Sequence, residues 1–160
     1  MNPTDNLDVS EVILRLVAAT AVGCAIGLNR ELKGKPAGLR THALVTLGAA
    51  LFTLSSIHLS LSQGVAGADA LSRVMQGIIT GLGFLGAGVI LRDEEGHVRG
   101  LTTAATIWVA ASLGILCGIG YWIGVIIAVS LVLIVLIVGE PVERFFERAL
   151  GKMGRKPKAD

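Results

Sequence analysis

One stretch limits the folds open to this chain more than any other: Gln76 to Arg92, QGIITGLGFLGAGVILR, an apolar run dense in glycine that ends against Asp93, Glu94 and Glu95. A helix needs roughly 20 apolar residues to cross the hydrocarbon core of a bilayer. Val74 to Leu91 is close to that length, so the run reads as a transmembrane helix. Gly77, Gly81, Gly83, Gly86 and Gly88 strip side chains from its surface. In water such glycines cost helix propensity, whereas in lipid they let a second backbone approach closely. The expectation is that this helix is the packing centre of a bundle. Gly81 to Gly86 also spells GxGxxG, but a dinucleotide fingerprint needs a strand before it, a helix opening at it and an acid about 20 residues later. Here the glycines lie inside the spanning run and Asp93 follows too early, so close helix packing is the favoured reading.

Four further apolar runs accompany it: about 11–28, 39–61, 101–117 and 120–138, with the central one at 74–91. A chain of 160 residues that is 52% hydrophobic, with mean hydropathy +0.71 and only 16% charged residues, has the composition of a polytopic membrane protein. The predicted fold is all-α, with five transmembrane helices in residues 1–139 and a tail in 140–160. The net charge of +2 offers no basic stripe for nucleic acid. Cys24 and Cys117 lie within apolar runs without metal-type spacing, so buried thiols are expected. The start, Met1 to Ser10, has no basic region of the kind that opens a signal peptide, which predicts that the first run is retained.

Basic residues set the predicted orientation. Arg30, Lys33, Lys35 and Arg40 fall in the first connection, Arg92 and Arg99 in the third, and Arg144, Arg148, Lys152, Arg155, Lys156 and Lys158 after the last run. The alternate connections carry essentially only Arg73. The positive-inside rule then places the N-terminus outside and the C-terminus in the cytoplasm. After Glu140 and Pro141, the residues Val142, Phe145, Phe146, Ala149, Leu150 and Met153 follow helical spacing, which predicts a short amphipathic helix on the membrane surface. Arg15, about one turn inside the first run, could snorkel to the headgroups or face a bundle interior, and its place near a helix end slightly favours snorkelling.

The small residues Ala19, Gly23 and Gly27, and again Ala110, Gly114 and Gly118, recur at four-residue spacing and predict further close packing. Two connections also resemble each other. Arg30-Glu31-x-x-Gly34-x-x-x-Gly38-Leu39-x-Thr41-x-Ala43 recurs as Arg92-Asp93-x-x-Gly96-x-x-x-Gly100-Leu101-x-Thr103-x-Ala105. This suggests a parallel repeat of two helices per unit. In each copy an acid sits at the end of one helix and a threonine at the start of the next, where carbonyls and amides respectively lack intrahelical partners. Three chemistries fit. Glu31 and Asp93 could bind a hydrated divalent cation such as magnesium; Arg30, Arg40, Arg92 and Arg99 could hold a phosphate or lipid headgroup beside the helix starts; or each acid simply pairs with its neighbouring arginine. His42 and His58 are sixteen apart with no partner histidine one turn away, which argues for hydrogen-bonded side chains rather than a metal pair.

Leu28-Asn29-Arg30-Glu31, Gly34 to Leu44, Gly81 to Ile90 and Arg99 to Ala105 together resemble the MgtC/SapB family of bacterial inner-membrane proteins, across nearly all of Glu11 to Val138. The resemblance implies a multi-helix membrane domain in a family linked to survival in low magnesium and to virulence. Family members have been described as magnesium transporters and as modulators of other membrane proteins, including ATP synthase. The chain departs from longer members by ending soon after the fifth run, which predicts a short form without their soluble C-terminal domain.

No nucleophile with an adjacent base is apparent, so an enzyme is not expected. No cofactor is expected either, apart from a possible magnesium ion. A transporter would normally show charged groups near mid-membrane, and no carboxylate lies deep in a run. The favoured reading is a protein that supports magnesium homeostasis by binding another membrane protein, with a homo-oligomer also possible; the alternative is an ion transporter. Asn29, Arg30, Glu31, Arg40, Thr41, His42, Arg92, Asp93, Arg99 and Thr103 form the candidate functional surface.

Overall fold

The computed structural model describes residues 8–63, 67–92 and 98–153. Five helices follow one another: α1 (Val9–Leu32), α2 (Leu39–Gln63), α3 (Gly67–Val89), α4 (Leu101–Ile119) and α5 (Trp122–Met153). Between α3 and α4 a two-residue antiparallel ladder joins β1 (Leu91–Arg92) to β2 (Val98–Arg99). All five helices are long and apolar enough to cross a membrane, in keeping with the all-α polytopic architecture. Most outrun their apolar stretches: α1 continues through Arg30 to Leu32, and α3 starts at Gly67. Backbone polar groups in or near lipid have to be satisfied within the segment, which favours carrying the helix past the hydrocarbon boundary.

The core lies where α2 packs between α1 and α4. Its contact surfaces are small. A Cβ placed on Gly23 would lie 2.5 Å from the His42 carbonyl oxygen, and one on Gly27 would lie 2.5 Å from the Leu39 Cα. On the other side of α2, a Cβ on Gly114 would lie 2.9 Å from both the Thr46 Cα and the Ala49 Cβ. These glycines admit a neighbouring backbone, as their spacing predicts. The polar groups in this seam are satisfied locally: Thr46 donates to the His42 carbonyl at 3.0 Å and Thr53 to the Ala49 carbonyl at 2.8 Å. Such back-bonding lets hydroxyls enter a packed helix interface without an unpaired proton.

The expectation that α3 is the packing centre is overturned. Added Cβ atoms at Gly77, Gly81, Gly83 and Gly88 meet nothing within 4 Å, and one at Gly86 meets only the Ala104 Cβ at 3.7 Å. Only 6% of the spanning window of α3 is buried, against 56% for α4. Two of its glycines, Gly77 and Gly81, instead help line an open apolar groove of about 610 Å³ between α3 and α2. Glycine density marks where a backbone can be approached, not which backbone does so.

Two other expectations change. The residues after Glu140 are helical, but α5 runs unbroken through Pro141, so the amphipathic segment continues the fifth span rather than forming a separate helix. Proline removes the amide that the Ile137 carbonyl would accept from; close by, Lys33 donates to the Leu136 carbonyl at 2.7 Å and pairs with Glu140 at 3.3 Å. Arg15 does not snorkel. Its side chain is mostly buried, with Nε 2.8 Å from Glu11 and Nη1 donating to the Gly118 carbonyl at 2.9 Å. There it meets the C-terminal carbonyls of α4, just before the left-handed turn at Gly120, where a cation is favoured.

Candidate functional site

The connections from α1 to α2 and from β2 to α4 meet the Pro141 region of α5 at one end of the bundle, around a cavity of about 660 Å³. This basic end gathers Arg30, Lys33, Lys35 and Arg99 on its walls, with Glu140 and Glu143 from α5. Arg30 is the least accessible of these, at 4% exposure, because it lies on the last full turn of α1 against α4. Its Nη2 donates to the Thr103 hydroxyl at 2.7 Å. Its Nε is buried without a hydrogen-bond partner, and no carboxylate among the described residues pairs with it. A buried guanidinium with no carboxylate in contact, and only the charge of Glu140 acting on it from a distance, is costly, so its persistence here points to a task.

A second buried group lies beside it. His42 is fully enclosed, with Nδ1 3.0 Å from the Gly38 carbonyl and Nε2 3.2 Å from the Thr106 hydroxyl. A carbonyl only accepts, so Nδ1 carries a proton, and in the neutral ring Nε2 is left as the acceptor. The single proton of the Thr106 hydroxyl is shared between two acceptors, His42 Nε2 and the Thr103 carbonyl at 2.8 Å. Arg30, Thr103, Thr106 and His42 thus form one polar chain that ties α1, α2 and α4 together at the basic end. This matches the hydrogen-bonded reading of His42, and His58, by contrast, is exposed.

The two copies of the repeated motif are built differently. At the start of α2, the Glu31 carboxylate accepts the Leu39 amide at 2.9 Å, an anion placed on a helix N-terminus by the chain itself. Glu31 therefore does not pair with Arg30, and one of its oxygens is committed to the backbone. Arg40 and Thr41 are exposed. At the start of α4, Gly100 adopts a left-handed conformation (φ 89°) and supplies no side-chain cap, while Thr103, the counterpart of Thr41, is buried. Arg92 sits in the ladder opposite Val98, Arg99 is exposed on β2, and Asn29 is half-buried with an unpartnered Oδ1. Asp93 lies outside the described residues, so the pairing of Glu31 with Asp93 at a metal has no structural counterpart to describe. Among the described residues no group of three or more His, Cys, Asp and Glu side chains comes together. Cys117 is buried, Cys24 partly so, and both are free thiols.

The sequence reading missed Thr106 and the participation of Lys33, Lys35 and Glu140. The spacing of Thr103 and Thr106, three apart on one helix face, was the available signal for the first. Nothing in the sequence announced that α5 would bring Glu140 to Lys33.

Residues 16–145, spanning all five helices and this site, match the MgtC family. The chain belongs to the MgtC family. Among curated relatives it is 49% identical to protein SrpB of Synechococcus elongatus over 68% of this chain and 63% of the relative. It is 41% identical to protein MgtC of Salmonella typhimurium over 90% of this chain and 59% of the relative. It is also 44% identical over 71% of this chain to the Escherichia coli protein named "Putative magnesium transporter YhiD", covering 53% of that protein. The chain thus spans little more than half the length of these family members. No solved structure matches it.

Proposed function

We propose that this protein supports magnesium homeostasis by binding and modulating another membrane protein, in the bacterial inner membrane, with its N-terminus outside and its basic end in the cytoplasm. The observation that carries this reading is the character of the buried polar groups. They are Arg30, His42, Thr46, Thr53, Ser56, Ser60, Thr103 and Thr106, with no carboxylate among the described residues. A path for a divalent cation needs oxygen ligands of negative character, and an unpaired guanidinium at one end of the seam repels such an ion. The outward glycines of α3 favour a protein partner, because in lipid they let another helix approach its backbone. The gathering of basic residues at one end supports the orientation.

The deciding measurement is magnesium uptake by the purified protein in sealed vesicles, beside complementation in a strain lacking the protein. The expected result is rescue of growth in low magnesium without saturable uptake by the protein alone. Rescue should be lost in Gly81→Leu although the variant inserts normally. Saturable uptake, abolished by Glu31→Gln, would replace this reading with that of a transporter. A cysteine at Lys33 should react with an impermeant reagent only from the cytoplasmic side.

A further inference from the structure

We propose that the basic-end cavity binds the phosphate group of an anionic ligand, held between the Arg30 guanidinium and the first amides of α4. Three independent features converge on that point. Arg30 is 4% exposed, lines the cavity, has no carboxylate partner among the described residues, and keeps Nε without an acceptor. A guanidinium offers five N–H donors in a planar fork that suits phosphate, and Thr103 occupies only Nη2, at 2.7 Å. That bond also fixes the fork against the first turn of α4. The 19-residue helix α4 then begins at a glycine that supplies no cap, and its first turn contains no acid. The amides of that turn lack intrahelical acceptors and carry the positive end of the helix dipole.

The start of α2 shows how this fold handles the same situation when the anion is built in: Glu31 occupies the Leu39 amide at 2.9 Å. The start of α4 has the complementary arrangement among the described residues, a buried cation and an open cavity where α2 has a carboxylate. Lys35 adds charge at the mouth. Of the two acids on the far wall, Glu140 is in contact with Lys33 and Arg144 and reaches Arg30 only through its charge, without an ion pair. The α5 wall is apolar at Val135 and Leu136. An inorganic phosphate and the phosphodiester of an anionic lipid both match this chemistry, and the apolar wall suits the chain of the latter.

The test uses the full purified chain in zwitterionic micelles. Thermal unfolding is followed while titrating inorganic phosphate in one arm and phosphatidylglycerol doped into the micelles in the other, at constant ionic strength. Ligand that binds only the folded state raises the midpoint saturably. A shift in the phosphate arm identifies a soluble phosphate as sufficient; a shift confined to the lipid arm identifies the headgroup. Either supports the proposal provided that Lys35→Gln weakens the apparent affinity several-fold and Arg30→Lys, which keeps the charge but not the fork, weakens it by about tenfold. Arg73→Gln, an equal charge change on an exposed residue of α3 outside the cavity, should leave the affinity as it is. If Arg30→Lys does not fold, the contrast between Lys35→Gln and Arg73→Gln decides. Absence of a saturable shift in both arms overturns the proposal, as does a shift that responds equally to Lys35→Gln and Arg73→Gln.

Discussion

The glycines of α3 and those of α1 and α4 carry the same sequence signal and have opposite fates. Gly23, Gly27 and Gly114 sit where α2 comes so close that a single added carbon would collide with backbone. Gly77, Gly81, Gly83 and Gly88 face open space within the chain, although their run is denser in glycine than any other. The difference lies in the partner surface. Helix α2 offers small and locally satisfied residues, Thr46, Ala49, Ala50 and Thr53, along the strip that meets α1 and α4. Towards α3 it presents larger side chains, with Val45 packed against the cluster that holds Leu82 and the exposed Leu44 and Phe52 lining the groove beside it. Close helix packing is thus a property of two matched faces, and a glycine stripe is half of one.

This comparison can be broken by substitution. The largest effect is expected at Gly27→Val and Gly114→Val, where the added groups must push apart two backbones; overpacking of this kind costs about 3 kcal/mol or more. Folded yield and resistance to denaturant in mild detergent should both collapse. If these variants matched the wild type, the α1, α2 and α4 seam would not be the core.

A smaller loss is expected at Thr103→Val, which removes the hydrogen-bond partner that the buried Arg30 has among the described residues. Leaving a buried donor unsatisfied costs about 1–3 kcal/mol. Thr41→Val, at the equivalent position of the other copy but exposed, should shift stability by less than about 0.5 kcal/mol. Equal losses at the two positions would remove the asymmetry between the motif copies. The smallest effect belongs to Gly81→Ala. With no neighbour to displace, it should leave the isolated protein unchanged or stabilise it by up to about 1 kcal/mol through helix propensity. A marked loss of stability there would restore α3 to the centre of the bundle.

Much of the architecture was legible from the chain alone because a bilayer imposes a one-dimensional rule. A segment either has enough consecutive apolar residues to cross or it does not, so five spans and their short connections follow from composition read along the sequence. The family resemblance was equally local, carried by segments such as Gly34 to Leu44 and Arg99 to Ala105. Part of the site was legible too: Arg30, His42 and Thr103 were singled out, and they meet. Their companions were harder to see, since Thr106 is a common residue in an apolar run and Glu140 reaches Lys33 only through the placement of α5.

What the sequence by itself determined is therefore the number of helices, their order, and the charge of each connection. The tertiary structure alone decided which small faces meet, that Arg15 turns inward to the end of α4, that α5 continues through Pro141, and that Glu31 and Arg30 part company despite being neighbours. The physical reason is that membrane crossing depends on each segment's own transfer into lipid. Pairing depends on shape and hydrogen-bond complementarity between segments far apart in the chain. Glu31 goes to the α2 amide and Arg30 to the α4 hydroxyl because two successive residues on a helix point about 100° apart, and only the arrangement of α2 and α4 around α1 gives each direction its partner.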